Sequence, residues 1–235
     1  MRFHPDLEIL PQPDDSTCGQ TCLHAVYRFF GDPIALDRVV EEVEPLEAGG
    51  TLAANLARHA LRRGYAATIY TYNLRVFDPT WFGRPGIDLA ERLRSAARVK
   101  RWGRLREATR AYLDYLALGG RVLYEELNAS LLSDLLADGP VITGLSSTYL
   151  YGCARERGDR ELVEDDIGGV PQGHFVVLGG CDLDRREVLL ADPLEDRPGF
   201  ESHLYTVGLD RVVGAILLGV LTYDANLLVI RPERG

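Results

Sequence analysis

The chain has no apolar signal core after Met1 and no hydrophobic run long enough to span a bilayer. Its most apolar stretch, 212–221, is only about ten residues long, which suits a buried helix better than a membrane span. A cytoplasmic protein is expected. An excess of positive charge is also missing: Lys and Arg number 26 against 35 Asp and Glu, for a formal net charge of −9. A nucleic-acid backbone is therefore excluded as the main partner, because its binders concentrate Lys and Arg. The one basic island, 92–110, interleaves Arg with Leu, Ala and Glu at helical spacing and reads as a solvated helix face. Cysteines are few. The four present, Cys18, Cys22, Cys153 and Cys181, lack the spacing of a disulfide framework. Cys18 and Cys22 could form half of a metal site, but no second close Cys/His pair completes it, so no metal is expected. Internal repeats and low-complexity segments are absent too.

What remains is the composition of a folded protein. With 235 residues, 46% hydrophobic and 26% charged, the chain can bury one sizeable core and is expected to form one domain. Apolar spacing predicts helices over 18–30, 35–43, 51–63, 130–137 and 209–218. Asp14, Asp15, Ser16 and Thr17 offer capping chemistry at the first start, and Gly31 at its end. Strands are expected at 66–72, 141–145, 174–179, 188–191, 203–207 and 227–230, with a turn-rich 182–186 making a hairpin of the third and fourth. The segment 159–171 reads as an acidic loop. Residues 73–128 are the least regular, with helical signals at 89–99 and 105–118, and read as a helical insertion. Early helices followed by clustered strands predict an α+β fold, an antiparallel sheet packed against the first helix.

Four residues in this layout carry chemistry jointly. Gln12 stands six residues before Cys18, His174 opens a strand, and Asp192 ends the strand expected to pair with it. A thiol attacks carbonyls as thiolate, and the first turn of a helix, with an imidazolium nearby, favours that form. The hairpin brings His174 and Asp192 together, where a carboxylate fixes the imidazole tautomer. The Gln12 amide and the Cys18 backbone N–H can donate to a tetrahedral oxyanion. Each residue alone has a plain structural reading: a small buried thiol, a strand cap, a turn opening. Cys22 lies deeper on the apolar stripe, and Cys153 and Cys181 lack a partner. His24 points elsewhere on the helix, His59 is mid-helix, and His203 has no carboxylate strand after it.

Gln12-x5-Cys18-Gly19, then His174-Phe175-Val176-Val177, then Asp192-Pro193 resembles the papain-like double-glycine peptidases that trim bacteriocin leader peptides, and equally their stand-alone relatives. The resemblance covers about residues 9–70 and 139–231. It implies a papain-like fold and a cysteine peptidase in which Gln12 builds the oxyanion hole, Cys18 is the nucleophile, and His174 and Asp192 complete a triad. It implies a peptide or protein substrate and no cofactor. Three departures stand out: Gln20-Thr21 after Cys-Gly, the segment 73–128, and no attached transporter segments. The same thioester could instead pass to an amine, as in a transpeptidase or amide-forming acyltransferase, or the cleft could bind peptides without turnover. Glu47-Ala48-Gly49-Gly50 matches a double-glycine bond, although a loop between helices wants glycine for its own reasons. Oligomeric state is not legible.

Overall fold

A computed structural model describes residues 2–4, 6–47, 49–100, 103–158, 163–195 and 199–233. In chain order its elements are β1 (Arg2–Phe3), α1 (Cys18–Phe29), α2 (Leu36–Glu42), α3 (Ala53–Arg62), β2 (Tyr65–Thr71), α4 (Leu89–Val99), α5 (Gly103–Ala117) and β3 (Arg121–Leu123). Then follow α6 (Ala129–Leu136), β4 (Val141–Ser146), α7 (Ser147–Tyr151), β5 (Glu156–Arg157), β6 (Val163–Glu164), β7 (Gly173–Asp182), β8 (Glu187–Ala191), β9 (Leu204–Gly208), α8 (Leu209–Leu218) and β10 (Asn226–Pro232). This is a mixed α+β architecture. Among the described residues no helix is long and apolar enough to cross a membrane.

One sheet organises the molecule, in the order β3-β2-β10-β4-β7-β8-β9, with β1 pairing the far end of β7. Every pairing is antiparallel except β2 with β3. Both faces are covered, so β7 is buried along nearly its whole length. Its side chains alternate between two cores, as the period-2 pleat requires. Phe175 and Val177 join the core under α1, α3 and α5, while Val176 and Leu178 join the one under α6 and α8. The sequence anticipates the first helical layer; the second layer is the structure's addition.

Helix α1 is buried from Gly19 to Tyr27, so it runs through the protein, not over it. Its expected cap is not there. Thr17 is the N-cap residue without a side-chain cap hydrogen bond, because its hydroxyl bonds to the backbone of Asp14 instead. Asp14 in turn bonds Ser16.

Segment 73–128 is more than a helical annex. β3 extends the main sheet, and Tyr115 of α5 fastens it: the Tyr115 hydroxyl reaches the carbonyls of Ala67 and Arg121 at 2.8 and 2.9 Å. Leu105, Tyr112 and Tyr115 belong to the principal core. Trp81 is half-buried against that core, while Trp102 lies outside the described residues. Within the expected acidic loop at 159–171, β6 pairs antiparallel with β5, which precedes the loop; residues 159–162 lie outside the described residues. Gly49 and Gly50 hold φ of 88° and 74° in a turn that Gly49 N–H closes on the Leu46 carbonyl. Ala48 is outside the described residues.

Candidate active site

The ends of three elements meet at one edge of the sheet. Cys18 is the first residue of α1 and is half-buried. His174 is the second residue of β7 and 7% exposed, and Asp192 follows the last residue of β8 and is fully buried. The Cys18–Gly19 pair has a packing reason: a Cβ at Gly19 would lie 2.7 Å from Thr51 Cγ2 and 3.3 Å from Phe175. Glycine there lets the start of α1 close onto the sheet.

His174 Nε2 lies 2.9 Å from Asp192 Oδ1, which leaves Nδ1 open to another partner, and Cys18 is near enough to act on the imidazole. Burial alone would strip the imidazole of its proton. The Asp192 carboxylate, and after it Cys18, outweigh burial and hold the imidazole's pKa well above its ordinary value. Burial likewise favours a protonated Asp192, but the imidazolium, the Tyr205 hydroxyl and the Leu194 N–H hold its carboxyl well below the usual range. Burial pushes Cys22, Cys153 and Cys181 up, and Cys22 spends its sulfur on the Phe175 carbonyl at 3.2 Å.

Gln12 is tied to the same edge through its backbone, whose N–H donates to the Pro193 carbonyl at 2.9 Å. Its side-chain Nε2 donates to the Asp14 carbonyl at 2.8 Å, leaving a second N–H on that nitrogen. Because Thr17 does not cap α1, its hydroxyl does not compete for the first-turn N–H groups.

The sequence did not reveal the shell around Asp192. Tyr151 from α7 and Tyr205 from β9 both donate to Asp192 Oδ2, at 2.8 and 2.6 Å. Phe200 stacks on Tyr205 with ring centroids 3.9 Å apart. His203 is also here, with Nδ1 2.7 Å from the Asp192 carbonyl, so it holds the backbone of the acid. Tyr151 falls in an unassigned segment and Tyr205 on a short predicted strand, and a single tyrosine in either place gives no spacing signal, which is why they went unseen.

No protein-family model matches the sequence, and no curated protein matches it significantly. Solved structures do. A Bacillus anthracis protein provisionally named a C39-like peptidase superposes over 99% of this chain and 98% of its own, at 14% identity and a TM-score of 0.52. The peptidase domain of Streptococcus ComA, a bifunctional ABC transporter, covers 97% of this chain and 99% of its own, at 12% identity and a TM-score of 0.46. A double-glycine-motif protease from an AMS/PCAT transporter, solved with its leader peptide, covers 99% and 96% at 13% identity and 0.46. The first of these likenesses, with the α+β layering described above, gives the chain the papain-like fold of a C39-like peptidase.

Proposed function

We propose that the protein is a cysteine peptidase cleaving a peptide or isopeptide bond through a thioester on Cys18. One observation carries the reading: a thiol at the start of a buried helix faces an imidazole whose other nitrogen is 2.9 Å from a buried carboxylate. In this reading Cys18 attacks the carbonyl carbon while His174 holds the thiol proton. The oxyanion takes hydrogen bonds from the free Nε2–H of Gln12 and the backbone N–H of Cys18. His174 gives its proton to the leaving amine, the C–N bond breaks, and a thioester remains. His174 then takes a proton from water, which hydrolyses the thioester and frees Cys18. Asp192 keeps the imidazole turned so that Nδ1 faces sulfur throughout. No step calls for a metal or cofactor.

The test is chemical labelling followed by turnover. Limiting iodoacetamide near neutral pH should modify Cys18 ahead of Cys22, Cys153 and Cys181. A mixed peptide library, read by mass, should then be cut by wild type and not by Cys18→Ala. Labelling of another cysteine first, or equal cutting by Cys18→Ala, removes Cys18 from the mechanism.

A further inference from the structure

Cys22 stands next to the site and has no part in the mechanism. It follows Cys18 by four residues in α1, and residues so spaced share one helix face, with Cβ atoms about 5–6 Å apart. Contacts with the sheet agree. Cys18 acts on His174, the second residue of β7, and the Cys22 thiol donates to the carbonyl of Phe175, the third, at 3.2 Å. Burial, and then the charges of Cys18 and Asp192, raise the Cys22 thiol. Both sulfurs therefore flank the same end of β7, one helical turn apart.

Access to the two differs. Cys18 is half-buried and Cys22 fully buried, so an oxidant in solution meets Cys18 first. The backbone spacing already suits a bond between them. Helix residues four apart have Cα atoms about 6 Å apart, and disulfides form with Cα atoms about 4.4–6.8 Å apart. The Cβ atoms must close by about 1–2 Å to reach the usual 3.5–4.5 Å. Cys18 has room for that shift, because it opens a helix whose N-cap residue, Thr17, makes no side-chain cap hydrogen bond, and such first turns tighten and fray readily. A bond closed this way keeps some strain and is easily reduced. Cys181, by contrast, lies seven residues beyond His174 on β7, about 23 Å along the strand.

We propose that Cys22 is a resolving cysteine, closing a reversible disulfide with Cys18 once hydrogen peroxide has oxidised the nucleophile. The proposal rests on the peptidase reading in taking Cys18 as the reactive thiol. Cys18 Sγ attacks one peroxide oxygen, the O–O bond breaks, and Cys18 becomes a sulfenic acid while the other oxygen leaves as water. Cys22 Sγ then attacks Cys18 Sγ, the S–O bond breaks, and the departing hydroxide takes the Cys22 proton. The two thiols lose two electrons in all, and the peroxide gains both and ends as two waters. Burial keeps Cys22 protonated and slows the second step. Fixed geometry works the other way, since well-oriented intramolecular reactions reach effective molarities of about 10⁵ M or more. The disulfide silences the peptidase and a dithiol restores it. Without Cys22 the sulfenic acid goes on to irreversible sulfinic and sulfonic acids.

The test treats the full chain with hydrogen peroxide near neutral pH, then unfolds it and alkylates it with iodoacetamide. Trypsin releases both thiols in one peptide, residues 3–28, so the disulfide shows as that peptide unalkylated and two hydrogens lighter. In wild type this species should dominate, and dithiothreitol should restore iodoacetamide labelling of Cys18 in the folded protein. In Cys22→Ala and Cys22→Ser, Cys18 should instead gain two or three oxygens, and the labelling restored should be about tenfold less. A wild-type peptide that gains oxygen with no lighter species overturns the proposal. So does a disulfide from Cys18 to Cys153 or Cys181, or equal recovery in the variants. Should both variants fail to fold, the wild-type peptide map decides alone. If untreated folded protein takes iodoacetamide at another cysteine before Cys18, the peptidase reading itself fails, and the resolving role falls with it.

Discussion

Asp192 and Asp224 lie on opposite flanks of β7, both buried and both at the end of a strand, yet the protein treats their protons in opposite ways. Asp192 receives the His174 imidazole, two tyrosine hydroxyls and the Leu194 N–H, and its carboxyl is held low. Asp224 receives one threonine hydroxyl, and its carboxyl rises to about 7. Burial is common to both. The donors differ, and they decide which carboxyl stays charged. An acid that orients a base has to be charged already, and the donors around Asp192 keep it so.

The sharpest way to break the comparison is to neutralise Asp192. Asp192→Asn keeps the shape but loses tautomer control, and peptide turnover should fall by about 10⁴. A drop below tenfold would show that the well-donated carboxylate is only structural. Next is Gln12→Ala, which removes one oxyanion donor and should cost about 10²–10³ in turnover. Cys18 alkylation by iodoacetamide should barely change, because it builds no oxyanion. If both rates fall together, Gln12 serves the loop instead.

The stability arm concerns Asp224. Its folded pKa of about 7 lies above an unfolded value of about 3.9, so the folded state binds the proton more tightly. That contribution is present below about pH 4 and is lost as pH rises to about 7. Asp224→Asn should therefore gain stability relative to wild type between pH 5 and pH 8, by about 2.6 kcal/mol. Denaturant melts at the two pH values read it directly, and a pH-independent difference would mean that Asp224 is solvated after all. The smallest effect is expected from Tyr205→Phe. Asp192 keeps the Tyr151 hydroxyl, so turnover should fall only about tenfold, in line with one hydrogen bond to a charged group. A loss as large as that of Asp192→Asn would show that the two tyrosines are not redundant.

Cys18, His174 and Asp192 were legible because each sits at the end of an element whose periodicity is strong. The helix at 209–218 was read residue for residue, and the β7–β8 hairpin was placed within three residues. What stayed hidden came from contacts made across the chain. Tyr151 sits in a one-turn helix that no periodicity marks, and Tyr205 reaches Asp192 only because β9 pairs with β8. Asp224 looked like an ordinary loop aspartate; only the glycines at 144 and 173, distant in sequence, make it a buried one. Capping was read wrongly at Thr17, since a short polar run can satisfy itself as well as a helix start.

β10 is the last strand in sequence but a middle strand in space, between β2 and β4. During synthesis, β2 and β4 must wait for residues 226–232 with their facing edges open, and unpaired edges invite wrong partners. The β4–β7 ladder that carries His174 is therefore left without its outer support until residues 226–232 have emerged from the ribosome. A growing chain should thus hold no competent thiol to act on its neighbours.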